Sequence, residues 1–163
     1  MNTYDYMNVV KGYVINKIEN KKNIENPSEI IITPVRESNS NGLNYIVEEF
    51  NNKHERLFYL KFTCENKREF YEVMNSLFVQ YFASSNNLLY TSTKDDGNTF
   101  SLVFKNYIAL TLNSEDNLDN LMFAKFKEYI DDIQQAKENT IESTKTNKKI
   151  LMIYPEKLDI AVS

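Results

Sequence analysis

Histidine and cysteine each occur once in this chain of 163 residues, as His54 and Cys64. A single cysteine excludes an internal disulfide, and one His with one Cys falls short of the three or four good ligands of a zinc site. Glycine and proline number only 3 each, and Gly12, Gly42 and Gly97 stand far apart. Neither the phosphate-loop pattern G-x-x-x-x-G-K nor the dinucleotide pattern G-x-G-x-x-G can be drawn from them. The G-x-S-x-G elbow of serine hydrolases is missing as well. There is no tryptophan, and no apolar run approaches the roughly 18 residues of a membrane-spanning helix. A basic surplus is also lacking: 19 Lys+Arg stand against 23 Asp+Glu, a net charge of −4. Nucleic-acid binders usually carry the opposite balance, so no direct nucleic-acid partner and no membrane partner are expected. The opening MNTYDYMNVVKGYVI has no basic start before an apolar core, so a secretory leader is not expected and a cytoplasmic setting is the default expectation.

What is present belongs to a globular chain. Apolar residues make up 42% and charged residues 26%, and a chain of this length buries about two-thirds of its unfolded surface without help from a metal or disulfide. No cofactor is expected. Abundant Asn and Ile, with Lys far above Arg, point to an AT-rich genome such as that of a low-GC bacterium, its phage or its plasmid. Most of the 11 Tyr and 10 Phe fall on apolar stripes. Tyr4, Tyr6 and Tyr90 are less well accounted for and hint at a binding surface, where tyrosine keeps one end dry and the other wet.

Periodicity orders the chain. Met7, Val10, Val14 and Ile18 recur at helical spacing, so a helix is expected from Thr3 to Lys22, with Asn2 or Thr3 as cap and Gly12 as a weak point. Glu29–Val35 reads as a strand, and Pro34 places it on an edge or ends it there. Asn41-Gly42 should supply the positive φ of a tight turn before a strand at Asn44–Phe50. In a third strand, Arg56–Cys64, the set Phe58, Leu60, Phe62 and Cys64 should face the core. From Asn66, Phe70, Val73, Met74, Leu77, Phe78, Tyr81 and Phe82 hold the 3.6 period of the strongest helix. Leu88–Thr93 and an Asp-Gly hairpin signal at Lys94–Asn98 follow. Thr99–Asn113 is either one long strand or a hairpin turning at Lys105-Asn106 with Phe104 opposite Tyr107, and ordinary strand length favours the hairpin.

Ser114-Glu115-Asp116 starts a third helix, with Leu118, Leu121, Met122, Phe126, Tyr129, Ile130 and Ile133 as its apolar stripe. The fold class expected is therefore α+β: an antiparallel sheet of two meanders with three helices, in the order α-βββ-α-βββ-α, plus a C-terminal strand. Residues 1–139 read as one domain and 140–148 as a polar linker or loop. Residues 149–163 read as an apolar strand segment that adds to the domain or to a partner. The element order of residues 3–138 resembles that of type III secretion chaperones. That resemblance implies a homodimeric domain that holds an extended partner segment along its sheet edge. It departs from that pattern in a second strand set of three and in the apolar tail.

Chemistry-bearing residues read mostly as structure. Cys64 ends an apolar strand face, where a free Cys behaves as a small hydrophobe, and His54 follows a turn. Glu48 and Glu49 are adjacent on a strand and point to opposite faces, so they cannot converge as an acid/base pair. The third helix is more telling. Between Glu115 and Asn139, seven acids (Glu115, Asp116, Asp119, Glu128, Asp131, Asp132, Glu138) face three lysines, leaving −4, the surplus of the whole chain. These seven are the candidate partner-binding residues, though a Lys127–Asp131 pair at i,i+4 would equally suit a solvated face. The expectation is a non-enzymatic protein-binding accessory protein of a phage or mobile element. It would inhibit a host protein, in the manner of anti-defence or anti-CRISPR proteins, by docking an acidic surface into a basic nucleic-acid-binding groove. The alternative is the chaperone-like homodimer.

Overall fold

The computed structural model describes residues 1–20, 27–37 and 42–146, and only the backbone of residues 77, 78 and 140–146. Helix α1 (Thr3–Asn20) buries Met7, Val10, Val14 and Ile18, as its spacing predicts. Asn2 is its cap: Asp5 N–H donates to Asn2 Oδ1 at 2.9 Å, and Asn2 N–H donates back to Asp5 Oδ2 at 3.1 Å. This reciprocal box satisfies two otherwise orphaned donors. A Cβ added at Gly12 would meet nothing within 4 Å. Gly12→Ala should therefore raise stability by about 0.5–1 kcal/mol, read as a higher chemical-denaturation midpoint.

Strands β1 (Ser28–Val35), β2 (Leu43–Asn51) and β3 (Arg56–Cys64) form one antiparallel meander. Strands β4 (Leu88–Lys94), β5 (Thr99–Phe104) and β6 (Ile108–Asn113) form the second. Between them run α2 (Lys67–Met74), a π-helical turn (Asn75–Val79) and α3 (Gln80–Ala83). Helix α4 (Asn117–Thr146) closes the order. The sheet has six strands in the order β3-β2-β1-β6-β5-β4. The fold is α+β, but the sheet is mixed where a purely antiparallel one is expected, because β1 and β6 pair in parallel. The cause is topological. A helical crossover between β3 and β4 returns the chain to its starting end, so β4 runs as β3 does. With three strands in each meander, β6 then runs as β1 does.

That pairing makes β1 central, so of the two expectations raised by Pro34 the edge position is corrected, while the strand does end there, one residue on at Val35. Pro34 is tolerated because the ladder to β6 stops at Ile32 opposite Leu112 and asks nothing of the proline nitrogen. Gly42 is also glycine for another reason than a positive φ. A Cβ there would lie 2.9 Å from the Thr63 methyl and 3.1 Å from the Cys64 carbonyl oxygen, so the space against β3 decides it.

Residues 99–113 form the hairpin, but Phe104 pairs with Ile108 and not with Tyr107. Pairing with Tyr107 would have turned Ala109 and Thr111 toward the core. A three-residue connection keeps Phe100, Leu102 and Phe104 on the same face as Ile108, Leu110 and Leu112, all buried. Asn106 and Tyr107 take up the reversal at φ 68° and 59°.

The core lies between the helices and one face of the sheet, where alternate strand residues join α1, α2 and α4 in one cluster. The π turn shifts the phase of the second helix. Val79 becomes buried beside Phe70, Val73, Met74 and Phe82, while Tyr81 is only partly covered. Leu77 and Phe78 lie outside the described side chains.

Helix α4 departs most from expectation. Its buried face is Asp119, Phe123, Phe126, Ile130, Ile133 and Ala136, while Leu118 and Leu121 are 50% and 62% exposed. Met122 and Tyr129 are half-buried against the core. The helix also continues to Thr146, past Asn139 and into the stretch read as a linker, since no glycine or proline interrupts it. The apolar strand segment 149–163 lies outside the described residues.

Candidate functional site

His54 sits in the β2–β3 turn at φ 62°, exposed, with its backbone N–H on the Asn51 carbonyl. Cys64 is buried, its thiol donating to the Asn66 carbonyl, and burial raises its pKa. Among the described residues no group of His, Cys, Asp or Glu is arranged to hold a metal ion. Glu48 and Glu49 point apart as the strand period requires. Glu48 pairs with Arg56 at 3.3 Å, while Glu49 is buried under α1, accepting from the Tyr13 hydroxyl with Lys17 Nζ 3.4 Å away.

The seven acids of the third helix separate into two groups. Glu115, Asp116 and Asp119 converge on one lysine: Lys67 Nζ stands 3.1 Å from Glu115, 2.7 Å from Asp116 and 3.2 Å from Asp119. Arg36 grips Glu115 with two hydrogen bonds at 3.0 and 3.1 Å. The Tyr71 hydroxyl donates to Asp119, which is only 3% exposed. Asp116 is also the cap of α4, its Oδ1 accepting from Leu118 N–H at 3.1 Å and Asp119 N–H at 3.2 Å. The Arg36 guanidinium, then Lys67, holds the Glu115 carboxyl below its ordinary pKa; the Lys67 ammonium does the same for Asp116. Burial would lower the Lys67 pKa, but its carboxylate partners outweigh it and raise it. These three acids bind α4 to α2 and to the end of β1.

Farther along, Asp131 accepts from Thr91 Oγ1 and from Lys127 Nζ, the latter at 2.6 Å, which pins α4 to the edge strand β4. Lys137 donates to the Ser84 carbonyl, and Gln134 to those of Ala83 and Ser85, closing the end of α3. Glu128, Asp132 and Glu138 are left exposed and hold no ion pair among the described residues. At 100° per residue Leu121, Glu128 and Asp132 share one outer strip, with Glu138 farther round.

The partners of the first group escape sequence reasoning. Lys67 and Arg36 lie 52 and 79 positions from the acids they meet, at Asp119 and Glu115. Only the cap at Asp116 has a local signal.

A groove of about 910 Å³ opens between α2 and α4. Tyr71, Leu118, Met122, Phe126 and Tyr129 give it apolar walls; Arg68, Glu72, Asn75, Gln80 and Lys125 complete its lining. Asn75 and Gln80 bracket the π turn, the kind of helix irregularity often found where a helix faces a ligand.

Set beside family models, curated proteins and solved structures, the chain matches none of them. What the fold defines is a two-layer α+β protein with helices on one face of a mixed sheet, and no described helix is long and apolar enough to cross a membrane.

Proposed function

We propose that this chain is a non-enzymatic protein-binding module whose recognition surface is the outer strip of α4. In this reading it is an accessory protein of a phage or mobile element, and it inhibits a host protein of anti-defence relevance by occupying a basic groove. One observation carries the proposal: Leu121, 62% exposed, shares a strip with Glu128 and Asp132, which form no ion pair among the described residues, with exposed Lys125 as the one cation on its border. An apolar anchor among unpaired acids suits a contact with a dry centre and complementary charge around it. The strip is smaller than the seven-acid surface, because Glu115, Asp116 and Asp119 are spent on holding the fold together.

The test is capture from host lysate by the wild type and by the triple reversal Glu128→Lys, Asp132→Lys, Glu138→Lys. Exposed changes of this kind should move stability by only about 0.5 kcal/mol each. A partner held by the wild type should fall at least about tenfold with the reversal, since charges at the rim choose the partner. His54→Ala and Cys64→Ser should leave capture intact, with a modest stability loss at buried Cys64. Loss of function in a well-folded His54→Ala protein would instead favour catalysis.

The chaperone-like homodimer keeps one supporting observation. Edge strand β4 exposes Leu89 and Tyr90 at 56% and 57%, a place where an extended segment could add to the sheet. Under that reading Tyr90→Lys, and not the helix reversal, abolishes capture.

A further inference from the structure

We propose that the groove between α2 and α4 is a docking site for an amphipathic helix of a partner protein, one with an apolar seam and an acid at its middle. Two helical runs that point the same way frame the groove. They are tied at one end by Lys67 to Asp116 and Asp119, and at the other by Gln134 to the Ala83 and Ser85 carbonyls. Between those ties the two walls differ in kind. On α4, Leu118, Met122, Lys125 and Tyr129 follow one another at steps of four, three and four, the spacing by which one helix packs on another. On the facing run, Arg68, Glu72, Asn75 and Gln80 are all polar. Their steps are four, three and five, and the extra residue of the last step falls in the π turn Asn75–Val79. Without that turn, Val79, which is buried, would hold the place that Gln80 takes in the wall.

Size, seam and charge select this occupant. From Leu118 to Tyr129 the groove runs about 17 Å along α4, or about three helical turns. Half of a helix roughly 10–12 Å across fills about 700–950 Å³ over that length, and the groove offers about 910 Å³. Leu118 is half in solvent and Met122 and Tyr129 are half-buried, so the α4 wall has apolar surface left to cover. Lys125 is exposed in the middle of that wall and holds no ion pair among the described residues. A purely apolar partner would strand its ammonium in a dry seam. A carboxylate at the same level satisfies it and fixes the register, as a single polar residue does in a helical seam. Arg68 and Glu72, paired with each other at 3.2 Å, and the amides of Asn75 and Gln80 suit the partner helix's polar flank. A second copy fits less well, because its own α4 would bring another Lys125 to the seam instead of an acid. The outer strip at Leu121, Glu128 and Asp132 does not line this groove, so the two proposals stand or fall separately.

Two helix-stapled synthetic peptides of about 14 residues, enough to span the groove, test it on the full chain. Both carry leucines at the seam spacing and differ only at the middle seam position, glutamate in one and lysine in the other. Fluorescence anisotropy should show the glutamate peptide binding at least about tenfold more tightly than the lysine peptide. Lys125→Glu should invert that order, and Leu118→Lys should weaken the glutamate peptide at least about tenfold. Both substitutions fall at exposed positions, and circular dichroism checks that each variant is folded. Should one variant fail to fold, the other and the wild-type comparison still decide. Failure of both peptides to bind the wild type would overturn the proposal, and so would affinities that ignore the charge at position 125. A dimer in sedimentation that Leu118→Lys dissolves would place a second copy in the groove and overturn it as well.

Discussion

Replacing Lys67 with methionine is expected to lower stability by about 3–5 kcal/mol, the usual loss when one partner of a buried ion pair is removed. Lys67 is the ammonium shared by Glu115, Asp116 and Asp119, and Asp119 is almost fully buried. Without it, Asp119 keeps, among the described residues, the Tyr71 hydroxyl and its backbone donor at Glu115. The effect carries a pH signature. Glu115 and Asp116 have folded pKa values below the ordinary carboxylate value of about 4. Their contribution is therefore present above that value and is lost as pH falls through the lowered ones. Lys67 has a raised folded pKa, so its contribution is complete at neutral pH and is lost only as pH rises through that raised value. The gap between wild type and Lys67→Met should be full at neutral pH and narrow as pH falls below the ordinary carboxylate value, measured as urea midpoints. A loss under about 1 kcal/mol at neutral pH would mean that the cluster is a surface ornament.

Phe82→Ala should cost a similar amount, about 3–5 kcal/mol. Phe82 is fully buried at the end of the second helical run and lies 5.0 Å, centroid to centroid, from Phe104 on β5. Its ring joins the helix layer to the second meander across the crossover. Truncation leaves a cavity that neither the π turn upstream nor the sheet can readily collapse to fill. Calorimetry or denaturant unfolding reads the change. A shift under about 1 kcal/mol would show that this end of the helix is only loosely attached.

Local patterns and distant contacts explain which parts of this architecture were legible. The stripe of α1 and the alternation of β3 follow from a single period over a continuous window. The 99–113 hairpin was legible too, apart from its register, which depends on loop length. The parallel contact of β1 with β6 has no local signal, since it follows from where the crossover delivers the chain. Helix α4 is the instructive case. At 100° per residue its buried arc contains Asp119 together with Phe123 and Ile130, and a carboxylate in that arc argues against burial when the sequence is read alone. The neighbouring arc with Leu118 and Leu121 looks better and is exposed. Lys67 and Tyr71, from another helix, make the true arc possible by satisfying Asp119. The same distant partners explain why seven acids resembled one surface: three are structural, one is tied to Lys127 and Thr91, and three remain outside.

Glu128, Asp132, Glu138 and Leu121 together form the proposed recognition surface. Its most direct test is the association rate of the captured partner with wild type and with the Glu128, Asp132, Glu138 reversal, each at low and at high salt. Attraction between exposed charges is screened over about 8 Å at physiological ionic strength, so wild-type association should slow as salt rises. The reversal should be slow at low salt and lose that dependence, because charge at a rim acts chiefly on encounter. Four rates equal within error would contradict the account and leave the outer strip of α4 as an ordinary solvated face.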